Sequence, residues 1–134
     1  MDNKLANDLI MEIGSTIVTS EEYAQDEWVG ISVVGNFYQN EQSQNGFVYL
    51  SNGEFEARAP GFPTLDKLIA LRDVMNEEKG EAWHQCLVHV TRPDFKINIQ
   101  FEYEDPRRWK PKKVSMDMSE YAESIKPPSL AAQV

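Results

Sequence analysis

The sequence predicts an α+β fold: one antiparallel sheet of about four to six strands with helices packed on one face, in the order α-β-β-α-β-β. Three observations predict it. An apolar stripe at helical spacing opens the chain and a second lies near its middle; each is followed by a pair of alternating β-branched and aromatic runs. No crossover helix separates the members of either pair, so neighbours pair antiparallel. At 134 residues the chain fits one domain. Residues 1–106 carry the α+β pattern, and 107–134 form a basic, proline-containing extension packed in part on the same domain.

Residues 3–17 read as a helix because Leu5, Leu9, Ile13 and Ile17 recur every fourth position, with Ala6 and Ile10 widening the stripe. WVGISVVGNFY, 28–38, reads as a strand whose Val29, Ile31, Val33 and Phe37 share one side. The polar run 40–46 is the expected hairpin loop, and GFVYLSNGEFEAR supplies return strands with a turn at Asn52-Gly53. APGFPT breaks the pattern. Leu65, Leu68, Ile69, Leu71 and Met75 then follow helical spacing, with Pro63 and Thr64 suited to the helix start and Gly80 to its end. A second strand pair is expected at 84–91 and 95–103, joined by Arg92-Pro93-Asp94. In the latter strand Phe95, Ile97, Ile99, Phe101 and Tyr103 form a core-facing row, with polar residues between them. A short helix is expected at 119–125, then a loose tail KPPSLAAQV.

Charge carries the next step. The net charge is −9, yet five bases (Arg107, Arg108, Lys110, Lys112, Lys113) fall in one short stretch, so the other 127 residues hold 8 bases against 22 acids. Such a body repels nucleic acid and speeds encounter with a basic partner. The basic stretch is expected to fold back on the protein's own carboxylates. No run of apolar residues is long enough for a membrane span. The N-terminus lacks the pattern of a secretory signal, so a cytoplasmic location is expected. A single cysteine, Cys86, excludes an intramolecular disulfide framework.

The residues offer little to catalysis. His84, Cys86 and His89 are the one cluster of soft ligands, but strand alternation puts His89 on the opposite face from the other two, so no metal site is expected. No phosphate-binding loop, nucleophile elbow or zincin motif appears, and no cofactor is implied. Glu102, Glu104 and Asp105 could in principle serve a metal-dependent hydrolase. On the outward face of a one-sided sheet, however, carboxylates have little to shift their pKa, and a protein-binding or plainly solvated surface suits them better. Glu54 and Glu56 alternate in the same manner on the preceding hairpin. Tyr38, Tyr49 and Trp109 are candidate exposed anchors among these acids.

Glu81-Ala82-Trp83, the alternating strand after it, Phe95-Lys96-Ile97 and the run Phe101-Glu102-Tyr103-Glu104-Asp105 resemble the YezG-like family of bacterial immunity proteins. Asp26-Glu27-Trp28 is similar to that family's approach to its first hairpin. The resemblance spans about residues 5–105 and is most specific over 81–105; Ala82 stands where the family usually has proline, and 107–134 match nothing in it. The resemblance implies an antitoxin that binds and neutralises a cognate toxin domain, commonly a nuclease, and it transfers no catalytic residues. The expected binding residues are Glu102, Glu104 and Asp105, followed by Glu54 and Glu56. A non-enzymatic adaptor that recognises some other protein is the alternative.

Overall fold

A computed structural model describes residues 4–24, 27–111 and 117–131. Helix α1 (Lys4–Val18) precedes strands β1 (Trp28–Asn36), β2 (Ser43–Leu50) and β3 (Phe55–Ala57); helix α2 (Phe62–Lys79) then leads to β4 (Gln85–Thr91) and β5 (Lys96–Glu102). Two short helices, α3 (Met118–Ser124) and α4 (Pro128–Ala131), close the described chain. The five strands form one fully antiparallel sheet in the order β3-β2-β1-β4-β5, so the fold class is α+β as the patterning predicts.

Helices α1 and α2 pack together on one face. Ile13 and Ile17 of α1 and Leu68 and Leu71 of α2 lose all contact with solvent against Ile31, Val33, Val48, Cys86 and Val88 of the sheet. Burial of each such side chain contributes roughly 1.5–3 kcal/mol. The α1 stripe is rotated from its expected centre: Ala6 is buried while Leu5 is 59% exposed. Helix α2 begins at Phe62 with Gly61 as its N-cap, ahead of the expected Thr64. Pro63 sits in the first turn, where its missing N–H has no helical partner to lose. The end is as expected: Gly80 takes φ 78°, a left-handed conformation cheap only for glycine, and its N–H bonds the Asn76 carbonyl.

The opposite face of the sheet is also covered. Trp109, Tyr121, Ala122 and Ile125 are buried there against Val34, Phe47, Tyr49 and Leu87, so the described residues of the C-terminal extension supply a third layer over β1, β2 and β4. This explains why β1 and β4 are buried almost along their whole length, whereas β5, packed on the helical side only, alternates. The tail expected to be loose is packed over part of its length: Pro127 is buried and Leu130 packs on the second core. Phe95, expected in the core-facing row, is instead 52% exposed. It takes a positive φ in the β4–β5 turn, where Arg92 lies over both its ring and that of Trp28.

Directed hydrogen bonds hold this third layer in place. The Trp109 N–H donates to Gln85 Oε1 (2.9 Å), Gln85 Nε2 to Asn36 Oδ1 (2.8 Å) and Asn36 Nδ2 to Asn45 Oδ1 (3.0 Å). Asn45 Nδ2 then donates to the Tyr121 hydroxyl (2.7 Å), which returns to the Trp109 carbonyl (2.6 Å). The ring closes with every amide used as both donor and acceptor, the arrangement in which neighbouring bonds polarise one another. Beside it, the Tyr49 hydroxyl donates to the Ala122 carbonyl at 2.7 Å.

His89 Nε2 lies 2.7 Å from the Ile125 carbonyl. A carbonyl only accepts, so Nε2 carries the proton of the neutral ring. Burial lowers the His89 pKa from 6.5, outweighing the carbonyl, which favours the charged form. The unfolded chain therefore takes up a proton at higher pH than the folded one, and stability present above about pH 6.5 is lost as pH falls. Urea midpoints measured between about pH 7.5 and 5.5 should drop for the native chain and drop less for His89→Gln. Equal pH slopes for the two chains would contradict this account. Glu41 and Glu102 have lowered pKa values, so their contributions are lost only at more acidic pH.

Candidate binding surface

The end of β1, the approach to β4 and the end of β5 meet at one end of the sheet, and His84 stitches them together. Its carbonyl accepts from the Phe37 N–H at 2.9 Å and its N–H donates to the Glu102 carbonyl at 2.7 Å. The Tyr38 ring packs edge-on against the His84 ring at 4.8 Å and remains 40% exposed. Tyr38 thus stands across His84 from the carboxylate run that ends β5.

Within that run the three acids do different things. Glu102 folds back: its Oε2 accepts from the N–H groups of Glu104 and Asp105, each at 3.0 Å, and its Oε1 pairs with Arg108 at 2.9 Å. These donors, the Asp105 N–H foremost, hold its carboxyl at a pKa of about 2. Its side chain is only 14% exposed, so Glu102 acts as the clamp that shapes the bend. Glu104 and Asp105 are exposed. The strand ends at Glu102, so Glu104 does not continue its face as strand alternation predicts; the clamp turns the chain there. Asp105 Oδ1 also accepts from the Arg107 N–H at 2.9 Å.

The basic stretch folds back as expected, with Arg108 on Glu102 and Lys110 on Glu41 at 2.8 Å. The Lys110 contact leads the influences that lower the Glu41 pKa. Lys112 and Lys113 lie outside the described residues. Glu54 and Glu56 are not brought to this surface. Glu54 follows the Leu50–Gly53 turn, and Glu56 lies on β3, where it pairs with Arg58. That is the opposite edge of the sheet, with three strands between it and β5. Of the three expected aromatic anchors, only Tyr38 is outside; Tyr49 and Trp109 are buried in the second core.

Cys86 is fully buried, which pushes its thiol pKa up to about 12, and His89 faces the other side of the sheet. Among the described residues no three of His, Cys, Asp and Glu are arranged to hold a metal ion, and no helix is long and apolar enough to cross a membrane. The neighbourhood of Tyr38 and the acidic bend is missed by sequence reasoning, since it depends on the pairing of three segments far apart in the chain. The polar residues of the second face do leave a trace: Ser32 and Asn36, and likewise Gln85 and His89, stand four apart inside otherwise apolar strands. No known protein-family profile matches the chain, and no curated protein matches it.

Proposed function

We propose that this chain is a non-enzymatic immunity protein that captures a toxin domain, a nuclease being the best fit, by laying an acidic surface over its basic one. The observation that carries the reading is the bend at Glu104 and Asp105, exposed and pinned through its N–H groups by the Glu102 carboxylate, at the end of the sheet where the exposed Tyr38 ring packs on His84. Carboxylates on a hydrogen-bonded turn lose little entropy on binding, and with an exposed aromatic ring at the same end of the sheet they combine steering with specificity. Glu102, with a pKa of about 2, has no proton to give near neutral pH, which favours binding over acid–base chemistry at this bend. The acidic balance of the rest of the chain and the resemblance over 81–105 support the same role.

The test is coexpression with the product of the neighbouring reading frame, followed by affinity measurement at low and high salt. Capture should weaken with salt. Reversing Glu104 and Asp105 to Lys together with Tyr38→Ala should weaken it on the order of a hundredfold. Unchanged affinity in the folded triple variant would remove this surface from the account. Failure to bind the neighbouring product or to protect cells from it would remove the immunity reading.

A further inference from the structure

The two edges of the sheet are unlike. Strand β3 is three residues long and carries the Glu56–Arg58 ion pair, whereas β5 presents seven residues. Long open edges are templates for another strand, and proteins usually shorten or charge them.

The direction of the free groups on β5 follows from the ladder. The Arg92 N–H bonds the Val29 carbonyl, in register with the Ile31–Val90 pair. Even-numbered residues of β4 therefore bond β1, and its odd-numbered residues turn toward β5, where they face Asn98 and Gln100. Alternation leaves the N–H and C=O of Ile97, Ile99 and Phe101 pointing outward. Among the described residues no strand pairs with them.

We infer that this edge pairs with a second copy of the same chain, β5 running antiparallel to β5 about a twofold axis at Ile99, to form a continuous ten-stranded sheet. The side chains favour this occupant. Ile99 is the middle residue of the strand, so this register alone uses its whole length. It joins Ile97 to Phe101 and Ile99 to itself through the outward backbone groups. The remaining positions are non-hydrogen-bonded pairs, in which side chains come closest. There Lys96 meets Glu102 of the other copy, and Asn98 meets Gln100. Each pair is made twice: opposite charges at the two ends and amide to amide between them. Lys96, Asn98 and Gln100 are exposed, and Ile97, Ile99 and Phe101 are partly buried, with apolar surface left to cover. The toxin-binding reading uses the exposed Glu104 and Asp105 beyond the strand; the two readings share only Glu102, which clamps that bend and faces Lys96 of the other copy.

Sedimentation equilibrium of the full chain across micromolar to millimolar concentrations tests it. The expected result is reversible association to twice the 15.4 kDa chain mass. Asn98→Lys with Gln100→Lys sets like charges opposite each other and should weaken the dimer on the order of tenfold or more. Asn98→Lys with Gln100→Glu sets opposite charges in the same register and should keep or strengthen it. Both substituted positions are exposed, and circular dichroism checks that each variant is folded. A native chain that stays at 15.4 kDa throughout would overturn the proposal, as would two double variants that associate equally.

Discussion

A chain ending at Pro106 is expected not to reach the native state. Its loss removes Trp109, Tyr121, Ala122 and Ile125 and exposes Val34, Phe47, Tyr49 and Leu87, which they cover. At roughly 1.5–3 kcal/mol per large apolar side chain, the lost burial is on the order of 10 kcal/mol, comparable with the whole stability of a domain this size. The polar ring offers no rescue. Asn36, Asn45 and Gln85 would be rehydrated, which spares a penalty but restores no packing. The truncated chain should lack near-ultraviolet dichroism, bind a hydrophobic dye and melt without a sharp transition. A cooperative urea transition within about 1 kcal/mol of the full chain would show that the third layer is dispensable.

Gly46→Ala should be the most damaging small substitution. Gly46 lies on β2 opposite Val33, and a methyl group there would overlap the Ser32 carbonyl oxygen and press on the Val33 Cα. Both obstacles are backbone in the central strand, so no side chain can swing aside. Relief requires parting β1 from β2, which also disturbs the bond from the Arg58 N–H to the Gly46 carbonyl. The expected loss is on the order of 3 kcal/mol or more, read from the shift in denaturation midpoint. Gly53→Ala is the control: open space surrounds Gly53, but its φ of 89° strains any side chain, so a loss of about 1 kcal/mol is expected. Equal losses for the two would show that the close approach of β1 and β2 has been misjudged.

Much of the fold is legible in the chain because its signals are local. The stripes of α1 and α2, the Asn52-Gly53 turn, the Gly80 stop and the alternation of Ile97, Ile99 and Phe101 each act within a few residues. The candidate surface is legible in composition but not in arrangement. Glu102, Glu104 and Asp105 read as equivalent acids until the Glu102 carboxylate is seen bonded to the N–H groups of the other two. Glu54 and Glu56 read as a parallel case until strand order puts them on the far edge.

Periodicity and charge act over short range, so the order of residues already sets the α+β class, the two helices, the antiparallel strand pairs and an acidic body with one basic stretch. Coverage of the second face of the sheet emerges only from long-range packing. Buried polar side chains look like solvated ones until their partners are known, and here the partners are distant: Asn45 bonds Tyr121 and Gln85 bonds Trp109. Long-range packing also decided that Tyr38, and not Tyr49 or Trp109, remains exposed. Which aromatic ring remains in water depends on what else the fold lays over it.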